Sequence, residues 1–144
     1  MLGFAVRFPL PFGAHALVVA VTLAAVPAFS ADEPRATATL TCPHAAQPGR
    51  VLCELEAKVP AGATIKWADA VLVSAPPFAT LLRARVGPSD ATSREGASWH
   101  WTVALAARTR GEGDVEARVR IVSCVGEACA PAEVAVRASL VVGD

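Results

Sequence analysis

The segment Val115-Glu116-Ala117-Arg118-Val119-Arg120-Ile121 alternates apolar and charged side chains without a break. A period of two sends successive side chains to opposite faces of an extended chain and leaves no helical stripe. Cys53-Glu54-Leu55-Glu56-Ala57-Lys58-Val59 repeats the pattern, and Trp99, Trp101, Val103 and Leu105 share one face with His100 and Thr102 on the other. Such segments are half-buried strands of antiparallel sheets. Turn signals separate them at Pro48-Gly49, Pro60-Ala61-Gly62, Pro76-Pro77, Gly87-Pro88-Ser89-Asp90 and Gly111-Glu112-Gly113-Asp114. Together they predict about seven strands, near residues 36–42, 50–59, 64–74, 79–86, 97–107, 114–123 and 132–142. Trp67-Ala68-Asp69-Ala70 also suits a helical turn. The expected fold is all-β, an immunoglobulin-like β-sandwich of about seven antiparallel strands.

The N-terminus reads differently. Arg7 is the one charged residue before an apolar run from Ala14 to Ala25, and Val26-Pro27-Ala28-Phe29-Ser30 places small residues where a signal peptidase needs them. Residues 1–30 therefore read as a signal peptide, with residues 31–144 as a single sandwich domain. The apolar run is too short to cross about 30 Å of hydrocarbon. Cys42 lies too far downstream to accept a lipid. The expectation is a periplasmic or secreted domain with no stable membrane insertion after cleavage.

Beyond Ser30 the chain carries 12 Lys and Arg against 13 Asp and Glu. That balance leaves no basic footprint for nucleic acid. Gly-x-Ser-x-Gly and His-Glu-x-x-His motifs are absent, as is a glycine loop that would cradle phosphate. Only His44 and His100 remain as histidines after the leader. With the thiols committed to disulfides, neither a metal site nor a cofactor is expected. Trp99-His100-Trp101 reads as two core tryptophans around an outward histidine. Gly111–Asp114 reads as a hairpin turn, and Phe78 in Pro76-Pro77-Phe78 as a loop aromatic tucked into the core or offered to a partner.

Cys42, Cys53, Cys124 and Cys129 form an even set in an exported chain, which reads as two disulfides. The spacing favours Cys42–Cys53 and Cys124–Cys129, each closing a local loop, while the crossed pairings stay open. Cys124 and Cys129 flank Val-Gly-Glu-Ala between two strand patterns, so a hairpin would face them across its mouth. Loop closure contributes roughly 2 kcal/mol for the shorter link and nearly 3 kcal/mol for the longer. The small value and turn position of the Cys124–Cys129 pair suit a reactive pair as well as a staple. Glu127, inside the loop, is a candidate proton relay or a solvated carboxylate.

The run from Arg120 through Cys124, Cys129 and Pro131 to Leu140 resembles the end of the N-terminal periplasmic domain of the thiol:disulfide interchange protein DsbD. There a strand leads into a cysteine, a short polar loop, a second cysteine and prolines before the last strand. The resemblance implies an immunoglobulin-like fold and a shuttle. Cys124 and Cys129 would be its redox pair and Pro131 its loop proline. The implied partners are thioredoxin-like periplasmic proteins and a membrane electron carrier. Ile121 and Val122 stand where that family carries an aromatic, Ala132 replaces its second proline, and Cys42 and Cys53 have no counterpart in it.

Two functions follow from these readings. One is thiol–disulfide exchange through Cys124 and Cys129. The other is a non-catalytic secreted binding or assembly module with two structural disulfides.

Overall fold

The computed structural model describes residues 35–144, so the signal-peptide reading of residues 1–30 lies outside the described residues. Among the described residues, nine strands form two antiparallel sheets. The first contains β1 (Thr37–Thr41), β2 (Gly49–Lys58), β7 (Ser98–Ala107) and β4 (Ala79–Leu81) in that order, with β6 (Ser93–Glu95) also paired to β7. The second has the order β5 (Arg85–Val86), β3 (Thr64–Ser74), β8 (Gly111–Val125) and β9 (Ala128–Val142). This is the expected all-β sandwich.

Alternation works as the sequence predicts. Leu55, Trp101, Leu105, Val115, Val119, Ile121 and Leu140 are fully buried between the sheets. Each such large apolar side chain contributes about 1.5–3 kcal/mol of transfer free energy. Trp101 also needs a partner for its indole N–H once buried, and Nε1 donates to the Gly87 carbonyl at 2.9 Å. Trp99 is buried beside it, with ring centroids 6.0 Å apart. His100 points outward and lies 3.1 Å from Ser98 Oγ.

Three local expectations are corrected. The segment expected as one strand over 79–86 is two short strands in different sheets: β4 pairs with β7 and β5 with β3. The chain changes sheets between Leu82, whose N–H reaches the Ala104 carbonyl, and Ala84, whose carbonyl accepts from Leu72. The strand expected over 64–74 is β3, which stays extended through Trp67–Ala70 and carries a bulge between Ile65 and Trp67. Gly111–Asp114 is not a turn but the start of β8. Its glycines leave room for the neighbouring loop: a Cβ on Gly111 would stand 2.6 Å from Phe78 Cδ1, and one on Gly113 would stand 2.6 Å from Pro76 Cβ. Phe78 accordingly packs against the core. Finally, β6 is a strand that the sequence pattern did not mark.

The loop after β1 ties the two sheets together. Ala45 N–H donates to the Val141 carbonyl at 3.0 Å, and Gly143 N–H returns a bond to the Ala45 carbonyl at 2.7 Å. His44 Nε2 donates to the Gly143 carbonyl at 2.6 Å. This strap covers the C-terminal end of the β9 edge.

Candidate functional site

The β8–β9 hairpin brings the candidate residues together. Val125 pairs with Ala128, so the connection is a two-residue turn, Gly126-Glu127. Gly126 has φ +59°, the first position of a type II′ turn that matches the twist of the flanking strands. Cys124 then falls directly opposite Cys129, with Cα atoms 4.0 Å apart, and the two form a disulfide. This is the close spacing of a pair that exchanges no backbone hydrogen bonds.

The second disulfide uses the same geometry. Thr41 pairs with Glu54, so Cys42 continues the β1–β2 register opposite Cys53, and their Cα atoms are 4.2 Å apart. The two links differ in exposure. Cys53 is completely buried in the core and Cys42 half-buried. Cys124 is 5% exposed, but Cys129 lies on the surface. Two cross-strand disulfides are the covalent chemistry of an oxidising compartment.

Glu127 occupies the second turn position and is exposed. Its backbone carbonyl oxygen lies 3.9 Å from Cys129 Sγ. Pro131 pairs with Val122, two residues along the same face from the disulfide. Trp67 of β3 is the next partner of Val122. Trp67, Val122 and Pro131 line a shallow recess on the outer face of the second sheet, beside Cys129. On the inner face, Ala63, Val125, Ala130 and Val134 line a groove of about 660 Å³ at the open end of the sandwich.

An ionic cluster beside the recess was not foreseen from sequence. Asp69 is fully buried on the outer face of β3. Arg120 Nε donates to its Oδ1 at 2.8 Å and Arg85 Nε to its Oδ2 at 2.7 Å, and both guanidinium NH2 groups also reach Oδ2. Arg120 stacks over the Trp67 ring, 5.5 Å from its centroid. Burial pushes the Asp69 pKa up, but hydrogen bonds and charge from Arg120 and Arg85 outweigh it and hold the carboxyl below its ordinary 3.8. The cluster fastens β5, β3 and β8 together. The sequence signal was an acidic residue set among the apolar residues Trp67, Ala68, Ala70, Val71 and Leu72, and its partners are set by register.

Among the described residues, no group of His, Cys, Asp and Glu is placed to hold a metal ion. No helix among them is long and apolar enough to cross a membrane.

No family model matches the chain, and no curated protein does either. Solved structures share a broad likeness. The PapD-like domain 7 of human CEP192 has 8% identity and a TM-score of 0.41, over 88% of this chain and 99% of that one. The bacterial hydrophobin BslA has 13% identity and a TM-score of 0.36, over 73% and 91%. A structure from a study of fibronectin binding and biofilm formation by AAF fimbriae of enteroaggregative Escherichia coli has 10% identity and a TM-score of 0.38, over 74% and 98%.

Proposed function

We propose that this chain is an exported β-sandwich module that binds or assembles, with Cys42–Cys53 and Cys124–Cys129 as structural staples. The compartment is the periplasm or the cell exterior. The observation that carries the reading is the edge of β9. This strand is 15 residues long and pairs with β8 along its whole length with no register shift. Among the described residues, backbone bonds to its free side come only from Ala45, at Val141 and Gly143. The other edges are short, at five residues for β1, three for β4 and β6, and two for β5. A long, regular edge offers unpaired backbone groups to another strand.

A second reading keeps exchange chemistry at Cys124–Cys129, as the DsbD resemblance implies. It is favoured by the exposure of Cys129 next to the recess of Trp67, Val122 and Pro131. In that chemistry a thiolate of a membrane electron carrier attacks Cys129 Sγ. The Cys124–Cys129 bond breaks, and Cys124 leaves as a thiolate. A second partner thiol then attacks the mixed disulfide, leaving the partner oxidised and this pair reduced. The reduced Cys124 and Cys129 then pass these electrons to the disulfide of a thioredoxin-like partner by the same exchange, and their own disulfide re-forms.

A redox titration separates the two. Thiols are trapped by alkylation at stepped glutathione potentials and each cysteine is read by mass spectrometry. The module reading expects both disulfides to stay oxidised down to about −300 mV. Reduction of Cys124–Cys129 well above that potential, with Cys42–Cys53 intact, overturns it in favour of the shuttle.

A further inference from the structure

The alternation of backbone bonds identifies which residues of β9 face away from β8. Val141 and Gly143 direct their backbone groups outward to Ala45. Because the β8–β9 register is unbroken, Glu133, Ala135, Arg137 and Ser139 do the same. Pro131 is on the same side but has no N–H to offer, which suits an edge position. Among the described residues this stretch has no strand on its outer side, and it is bounded by Pro131 at one end and the Ala45 strap at the other.

The side chains along that stretch are self-complementary. Glu133 and Arg137 lie two residues either side of Ala135 on the outer face. A two-fold axis through Ala135 sets Glu133 of one copy opposite Arg137 of the other, twice. Edges that avoid self-pairing carry like charges, prolines or bulges through the exposed stretch. This stretch has opposite charges at symmetric positions and no bulge. On the inner face the same axis sets Val134 opposite Val136 of the second copy, and both are only partly buried within one copy. The small Ala135 leaves the axis uncrowded.

The neighbouring strand extends the match. Arg137 already bonds Glu116 Oε1 at 2.6 Å, and Arg118 approaches Glu133 at 3.8 Å. A second copy would place each Arg137 between Glu116 and the other chain's Glu133, so the signs alternate across the outer face. Pairing about Ala135 gives about eight inter-chain backbone hydrogen bonds, with one lost at each Pro131. The rotation of about 20–25° between neighbouring strands carries the partner's hairpin tip out of the sheet plane as it nears the Ala45 strap.

We infer that a second copy of this chain pairs antiparallel along β9 about Ala135, joining the two four-stranded sheets into one. The inference rests on the assembly reading and names its partner. Opposite-charge cross-strand pairs contribute modestly, and each reversal converts two of them per dimer into like-charge pairs. Glu133→Arg or Arg137→Glu should therefore weaken dimerisation about tenfold. The combined Glu133→Arg/Arg137→Glu chain should recover it. Sedimentation equilibrium of the purified exported chain across a concentration series reads this directly. In parallel, Ala135→Cys should give an oxidised covalent dimer, since Cα atoms of such a pair lie about 5.5 Å apart. Ser139→Cys faces Pro131 of the other copy and should not cross-link. A chain that stays monomeric, or a dimer in which the double reversal does not recover the singles, overturns the inference. A monomer whose two disulfides resist reduction loses self-pairing but keeps the module reading. A readily reduced Cys124–Cys129 removes the module reading whatever the association state.

Discussion

Arg120 closes on Asp69 from the next strand, Nε to Oδ1 at 2.8 Å, and its other face lies 5.5 Å from the Trp67 ring. Asp69 is the one buried charged residue among those described, and two half-exposed arginines meet its carboxylate. Removing a partner of such a carboxylate leaves a buried charge half-satisfied. Arg120 supplies bonds to both oxygens and the stacking, whereas Arg85 bonds only Oδ2. Arg120→Met should therefore destabilise the fold more than Arg85→Met, since hydrogen bonds to a charged group are the stronger kind. Urea midpoints at constant m-value measure the difference. Equal losses for the two variants would show that the stacking and the second bond contribute nothing.

The same cluster sets an acid limb. Desolvation opposes the charged form of Asp69, but the pairs with Arg120 and Arg85 more than offset it, so the folded pKa lies below the unfolded one. A depressed carboxyl contributes stability that is complete above its unfolded pKa, near 3.8, and is lost as pH falls through the folded value. Asp90 shifts in the same direction through its bond from the Gly87 N–H and its pair with Arg83. Stability should be insensitive to these two groups near neutrality and fall below about pH 4. Asp69→Asn should be destabilised at pH 7 yet show a shallower decline between pH 4 and 2. Parallel acid limbs for Asp69→Asn and the parent would refute the assignment.

The fold was legible where a strand crosses the boundary between core and water. Val115–Ile121 and Trp99–Leu105 carry that boundary in their alternation, and both are central strands. The disulfides were legible because each joins cysteines close in sequence, 11 and 5 residues apart. The Asp69 cluster was not, because Arg120 is 51 residues away and meets Asp69 only through the β3–β8 register, after a bulge. Gly111 and Gly113 were misread because glycine marks both a turn and a close approach. Here it admits Phe78 and Pro76. The β9 edge was visible as a strand, but its being an edge is a property of sheet order.

The two disulfides should separate in rate and in stability. Cys129 is on the surface while Cys53 is wholly buried, so a small thiol reaches the hairpin link first. Limited dithiothreitol treatment of the folded protein, followed by alkylation and mass spectrometry, should label Cys124 and Cys129 before Cys42 and Cys53. Chain entropy predicts the reverse order of importance. Cys124→Ala/Cys129→Ala should cost about 2 kcal/mol and Cys42→Ala/Cys53→Ala about 3 kcal/mol. The core cavity left at Cys53 adds to the second figure. Labelling of Cys53 ahead of Cys129 would mean that the first hairpin opens more readily than its burial allows.

The start of β8 tests whether its glycines serve the neighbouring loop. Gly111 does not need a left-handed backbone, since its φ lies outside that region, in contrast to Gly126. Its constraint is the Phe78 ring, which a Cβ would meet at 2.6 Å. Arg108 N–H holds the Phe78 carbonyl at 2.8 Å, so the loop cannot withdraw freely. Gly111→Ala should therefore cost about 1–3 kcal/mol through overpacking. Phe78→Ala alone also destabilises, by loss of packing. In the double variant the added methyl enters the space that the ring vacates, so the losses should be less than additive by about 1 kcal/mol or more. Gly126→Ala, with nothing within 4 Å of its Cβ, pays only for its backbone and should be additive with Phe78→Ala. Full additivity of Gly111→Ala with Phe78→Ala, measured by urea unfolding, would show that the contact is not what selects glycine there.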